Sequence, residues 1–198
     1  MARTQQERRE GTVARLLDAS IATIIEVGYS RASAAVITKR ADVSVGALFR
    51  HFDTMGDFMA ATAYEVLRRQ LDLFTKEVAQ IPADQPALES MLRIMRDIIG
   101  NQTNTVMHEL MIAARTDEKL RATLQEVLTE FGAKIFDVAR GLPGVEGLSD
   151  ETLLTVVATL MNTFDGAAIL NAVLPQPELN AQKIALIAAL LNDAYGAD

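Results

Sequence analysis

Ser33-Ala-Ala-Val-Ile37-Thr-Lys-Arg-Ala41-Asp-Val-Ser44-Val-Gly-Ala-Leu48-Phe-Arg-His-Phe52 is the stretch that decides the fold. Two short helix-patterned runs, 33–40 and 45–51, are separated by a turn at Asp42-Val43. Each is preceded or opened by a serine whose hydroxyl can cap the first turn. Ile37, Ala41, Val43, Leu48 and Phe52 would face inward, leaving Val45, Gly46, Ala47, Phe49, Arg50 and His51 more exposed. Two short helices joined by a tight turn and preceded by a third describe a helix-turn-helix, whose second helix enters the DNA major groove. Small residues at Gly46 and Ala47 let the backbone approach base edges and thymine methyls. Glycine costs about 1 kcal/mol in a helix interior, so Gly46 asks for a reason: close approach to DNA, or close packing on the preceding helix. Arg50 can read guanine or hold a phosphate. Ser33 and Ser44 set hydroxyls and free N–H groups at helix N-termini, which suit phosphate.

Outward from this stretch the chain reads as helix after helix. Val13, Leu16, Leu17, Ile21, Ile24 and Ile25 recur at helical spacing over 8–27, and Gly28 ends that helix. Thr54 can cap a long helix over 55–80, followed by the linker Pro82–Pro86. Further helices are predicted at 87–100, 104–115 and 117–140, then, after a Gly/Pro-rich loop over 141–149, at 150–173 and 178–195. No β-branched alternation argues for a sheet. The predicted fold is all-α, about nine helices: a three-helix DNA-binding head at 1–53 and a helical domain at 54–198.

Charge is unevenly spread. Residues 1–52 hold eight Lys/Arg against five Asp/Glu, while the rest of the chain holds eleven against twenty-one. A positive head on a negative body suits an anionic partner at one end. The absence of cysteine excludes disulfides, thiolate metal sites and a cysteine nucleophile. The polar N-terminus, with no apolar run behind it, predicts a cytoplasmic protein.

The last two helices are apolar on more than one side. The stretch from Thr152 to Leu174 is long enough to span a bilayer. Asn162, Asp165 and Asn171 interrupt it, however, and a mid-span carboxylate is expensive in lipid. Burial against a second copy of the chain, through 150–173 and 178–195, is therefore favoured over a membrane.

Arg15-Leu-Leu-Asp-Ala19, Glu26-Val-Gly28-Tyr29, Ser33, Ile37 and the run from Ala41 to Phe52 together resemble the signature of TetR-family transcriptional regulators. The resemblance covers about the first 58 residues; the remainder agrees only in length and helical character. It implies an Ω-shaped, two-domain homodimer on palindromic operators, probed by Ser33, Ser44, Val45, Gly46, Ala47, Phe49, Arg50 and His51, with His51 towards phosphate. It also implies a small-molecule effector that releases the DNA, hence a ligand-responsive repressor. Four departures stand out: Asp42 where the family usually has Gly, Phe49 for Tyr, Met55 for Lys and Thr38 for Ala. Two missing phosphate contacts imply weaker binding and a salt slope shallower by roughly one unit for the absent lysine. They also leave open a helical small-molecule-binding protein that has lost DNA binding.

For the ligand, flexible thioethers and polar residues inside apolar stretches are the candidates: Met95, Met107, His108, Met111, Phe131, Asn162 and Asp165. Methionine at helical spacing also serves core packing. Asp165 is the most suggestive, for a cationic or hydroxylated effector or for a bond across the dimer. No enzyme is predicted. His108-Glu109 lacks the second histidine of His-Glu-x-x-His, since Ile112 stands there. No Gly-x-Ser-x-Gly places a nucleophile. No metal or cofactor is predicted.

Overall fold

The computed structural model describes residues 4–195, and among these the chain is helical throughout. The α-helices are α1 (Gln5–Val27), α2 (Ala34–Arg40), α3 (Val45–Leu48), α4 (Met55–Val78), α5 (Ala87–Ile99), α6 (Thr105–Ala114), α7 (Glu118–Arg140), α8 (Asp150–Asn171) and α9 (Pro177–Tyr195). One 3-10 turn, Tyr29–Arg31, links α1 to α2, and another, Gln102–Asn104, precedes α6.

Caps explain most of these boundaries. α1 starts at Gln5, three residues before the predicted start at 8, because Thr4 and Glu7 form a reciprocal capping box. Gly28, at φ 80°, ends α1 in a conformation that glycine adopts without a Cβ penalty. Ser33 caps α2 and Ser44 caps α3, each hydroxyl accepting from a backbone N–H three residues on. Thr54 caps α4: its Oγ1 accepts from Asp57 N–H at 3.1 Å, while its own N–H donates back to Asp57 Oδ2 at 2.9 Å. Ser149 caps α8, its hydroxyl accepting from Thr152 N–H at 3.2 Å.

The chain packs as two compact units. One holds the residues up to Arg68 together with Gln102–Glu130; the other holds Arg69–Asn101 and the residues from Phe131 onward. In the first unit, α2 packs on α1 and α3, and α6 packs on α1 and the first 3-10 turn. Leu16, Ile24, Ile37, Leu48 and Phe58 are fully buried there. Two buried hydroxyls of α1 and α4 pair together, Thr62 Oγ1 donating to Ser20 Oγ at 3.0 Å, while Thr23 of α1, also buried, donates to Ala19 O at 2.6 Å. In the second unit, α5 packs on α8 and α9. Leu92, Ile99, Phe164, Ile184 and Ala188 form its core, with Met95, Leu160 and Ile187 packed against it. Packing groups α4 up to Arg68, α6 and the part of α7 up to Glu130 with the head.

Candidate nucleic-acid interface

The site is built from α2, the turn and α3. Asp42 is the one non-glycine among the described residues with positive φ, 53°. The turn closes through Ala41 N–H to Ile37 O at 2.9 Å and Val43 N–H to Thr38 O at 3.0 Å. Aspartate is among the few residues that tolerate this left-handed geometry, so the departure from glycine at Asp42 leaves the turn intact. Thr38 is buried and returns its hydroxyl to Ala34 O at 2.7 Å, which satisfies the extra oxygen.

α3 is shorter than the sequence predicts. It is helical only over Val45–Leu48, and the chain then turns, with His51 and Phe52 both donating to Leu48 O. Phe52 leaves the helical path to lie 4.9 Å, ring centre to ring centre, from Phe58 of α4. At 100° per residue, Ser44, Ala47, Leu48 and His51 share one side of this segment, and Val45, Gly46, Phe49 and Arg50 share the other. Burial follows that division: Leu48 and Ala47 are buried, His51 is half-buried, and the other four are exposed. Ala47 is therefore a correction to the sequence reading: its methyl packs inside the head. Val43 and Phe52, expected inside, are half-buried.

Gly46 faces outward. A Cβ built there would meet nothing nearer than Ser44 Oγ at 4.0 Å, so no neighbouring helix requires a glycine. That removes the packing explanation for it. Ser33, Ser44 and Arg50 are exposed beside it.

Several of the head's cations are engaged within the head. Arg40 pairs with Glu26 and donates to Thr23 Oγ1 at 3.3 Å. Arg15 donates to Ala41 O at 3.4 Å, and Arg31 Nε to Val27 O at 2.6 Å. His51 is held below its ordinary pKa, first by burial and then by the charges of Arg9 and Arg50. Its Nδ1 is shut away from solvent with no hydrogen-bond partner among the described residues. The imidazole is thus neutral at pH 7, in a field that favours an anion.

The geometry is that of a helix-turn-helix, and comparison with known proteins agrees. Residues 16–62 match the family model for bacterial regulatory proteins of the tetR family. An HTH-type transcriptional regulator of Mycobacterium tuberculosis is 70% identical over 191 residues, spanning 96% of this chain and 98% of that protein. The chain belongs to the TetR family of transcriptional regulators. Among solved TetR-like structures, a transcriptional regulator from Rhodococcus sp. Rha1 superposes with TM-score 0.67 at 20% identity, over 94% of this chain and 98% of that one. The multidrug binding protein EbrR, complexed with imidazole, superposes with TM-score 0.63 at 19% identity, over 88% and 93%. TetR-family proteins are regulators and not enzymes.

The predicted ligand residues divide between the two packing units. In the first, Met107 is buried, Met111 is exposed, and the half-buried His108 has its Nε2 3.2 Å from Asn104 Nδ2. In the second, Phe131 is buried with Lys134 Nζ 5.6 Å from its ring centre, Met95 packs against the core, Asp165 is half-buried and Asn162 is exposed. Met107 and Phe131 are thus buried, each in its own unit, and Met95 is half-buried against the core of the second.

α8 is the one described helix long and apolar enough to cross a membrane, by length and composition alone; 17% of its apolar window is buried. Its exposed apolar residues include Leu154, Ile169 and Leu170, and those of α9 include Leu179, Leu186 and Leu190. Residues Ile184 and Ala188 of α9 are buried while Leu186 and Leu190, on the opposite side, are exposed. The helix therefore presents apolar surface in two directions.

Sequence reasoning passed over Glu109, noticed only as part of His108-Glu109. Its carboxylate accepts the backbone N–H of Tyr29 at 3.0 Å. No local pattern announces a contact across eighty positions.

Proposed function

We propose that the chain is a transcriptional repressor that binds a palindromic operator as a homodimer and is released by a small-molecule effector. The observation that carries this reading is the outward face of α3, where Val45, Gly46, Phe49 and Arg50 stand clear of the fold beside the two capped helix starts. Arg50 and Gly46 read base edges, Val45 and Phe49 supply apolar contact to thymine methyls, and Ser33, Ser44 and His51 hold phosphates. Ala47 supports α3 from inside.

A dimer through α8 and α9 supplies the two half-sites, one DNA turn apart. Support comes from the exposed leucines of both helices in the same unit. Asn162, Asp165 and Asn171 make a bilayer an expensive alternative for α8. The work of 54–198 is then dimerisation and effector binding. The effector reading rests on the second unit, where Met95 lies against the core that contains Phe164 and the carboxylate of Asp165 follows next in sequence. Asp165 suits a cationic or hydroxylated molecule. The drug-binding description of EbrR is in keeping with such a site. α4, which starts after the Thr54 cap and continues past Arg68 into the second unit, would carry the signal. The effector must bind the DNA-free state more tightly, since only differential affinity shifts the equilibrium.

The deciding experiment is a mobility-shift assay with the DNA flanking the protein's own gene, titrated with salt. A specific complex that outlasts a scrambled duplex supports the reading. No specific complex at low salt would leave a helical ligand-binding protein without operator activity.

A further inference from the structure

Tyr29 sits at the joint between α1 and the helix-turn-helix pair. Its N–H opens the 3-10 turn, whose own bonds run from Arg31 N–H to Gly28 O at 3.2 Å and from Ala32 N–H to Tyr29 O at 3.0 Å. The Tyr29 N–H points instead to the Glu109 carboxylate of α6, at 3.0 Å. The same carboxylate lies 3.6 Å from where a Cβ on Gly28 would stand, so it fills the space beside the residue that ends α1. The Tyr29 ring reaches towards the next helix as well. Its hydroxyl is held above its ordinary pKa by burial first and then by the carboxylate of Asp117, which caps α7 by accepting Leu120 N–H at 3.0 Å. All of these residues belong to one packing unit.

A charged acceptor on a backbone N–H forms one of the stronger hydrogen bonds in a protein. Here it joins elements eighty positions apart and fixes the direction in which the chain leaves α1. The three residues from Tyr29 to Arg31 then set where Ser33 starts α2, and α2 in turn carries α3.

We propose that Glu109 is a positioning residue for DNA binding, a role that rests on the reading above: by holding Gly28 and Tyr29, α6 sets the orientation of α2 and α3 through the end of α1. Operator affinity then depends on where α6 stands, through a contact separate from α4. A displacement of α6 that breaks the Glu109–Tyr29 bond releases the recognition segment without unfolding the head.

The test uses the full chain and two variants, Glu109→Ala and Glu109→Gln. Amide hydrogen exchange is followed without DNA, and binding is followed by anisotropy on duplexes carrying either the DNA that flanks the protein's own gene or a scrambled sequence. In Glu109→Ala, exchange over 29–51 is expected to quicken by roughly tenfold or more, the loss of one charge-assisted bond. Protection of α1 and α4 is expected to fall by no more than that factor and the unfolding midpoint by only the few degrees that one bond accounts for, with specific binding weakened about tenfold by the same loss. Glu109→Gln keeps an acceptor oxygen and is expected to fall between. Unchanged exchange at Tyr29 would overturn the proposal. So would a loss of protection spread evenly over the head, with binding reduced only by the unfolded fraction. Wild-type chain that binds neither duplex specifically would remove the DNA-binding reading and this positioning role together. That failure is separable from the other two, because exchange is read without DNA.

Discussion

Replacing Gly46 by alanine should move stability and DNA affinity in opposite directions. The residue lies within α3, and its added methyl would find open space, the nearest atom being Ser44 Oγ at 4.0 Å. Nothing in the free protein opposes the substitution, so the helix gains the difference in propensity between the two residues, about 0.5–1 kcal/mol. In the operator complex that open space is the gap between backbone and base edges. A methyl forced into a packed interface costs about 1–3 kcal/mol. A two-fold dimer meets it twice, so the loss is at least about 2 kcal/mol, or roughly thirtyfold in Kd. Thermal unfolding of Gly46→Ala should show a raised midpoint. Anisotropy on the operator duplex should show the weaker Kd with non-specific binding unaltered. Operator affinity equal to wild type would refute the placement of Gly46 at the base edges. A lowered unfolding midpoint would refute the claim that its outward space is empty.

In the proposed dimer the exposed leucines of α9 carry the interface. Leu186 and Leu190 are 60% and 59% exposed, and burying the remainder of each gives about 1–2 kcal/mol. The double Leu→Ala variant, counted on both protomers, should weaken association by roughly a thousandfold, read by sedimentation, with helical content unchanged; sedimentation identical to wild type would exclude this face. His51 makes binding pH-dependent. In the free head its pKa is lowered by burial and by Arg9 and Arg50, so it resists protonation and stability declines as pH falls below the unfolded value of about 6.5. A phosphate beside it offsets the arginine charges and raises the pKa, so operator Kd should improve from pH 8 to pH 6, and His51→Gln should flatten that profile. Asp42, at φ 53°, should be replaceable by glycine with a gain of up to about 1 kcal/mol in thermal unfolding, the left-handed penalty less the entropy that glycine restores to the unfolded chain. Asp42→Ala should lose stability.

The head was legible because its signals are local. Ser33, Ser44, Thr54 and Gly28 each act within four residues of themselves, and each cap sits where the sequence puts it. Even the early start of α1 is written in the Thr4 and Glu7 pair, although the apolar pattern that begins at Val13 draws attention away from it. Two details needed three dimensions. α3 stops at Leu48 because Phe52 is drawn onto Phe58, a contact with the following helix. Ala47 turns inward because the Ser44 cap sets the rotation of a helix only four residues long, too short for a hydrophobic stripe to reveal. The ligand residues were least legible. Methionine and phenylalanine at helical spacing look alike whether they line a cavity or fill a core, and the burial of Met107 and Phe131 is common to both.

The head's charge and its shape lead to the same view of how it would recognise DNA. Positive charge near the N-terminus suggested a partner held by phosphates, yet Arg15, Arg31 and Arg40 each bind the head's own groups. Phe49 has no hydroxyl to offer a phosphate, and Met55 has no charge. Besides Arg50, what the reading face does expose is apolar: Val45 at 40% and Phe49 at 44%, adjacent to each other on one side of Gly46 in the helical projection. Thymine methyls are the complementary surface in the major groove, and phosphate contacts set affinity and register without carrying sequence. A head that loses phosphate contacts while keeping its apolar face gives up salt-sensitive, non-specific affinity first. In the proposed complex the departures at Phe49 and Met55 would therefore lower the non-specific background more than the recognition itself.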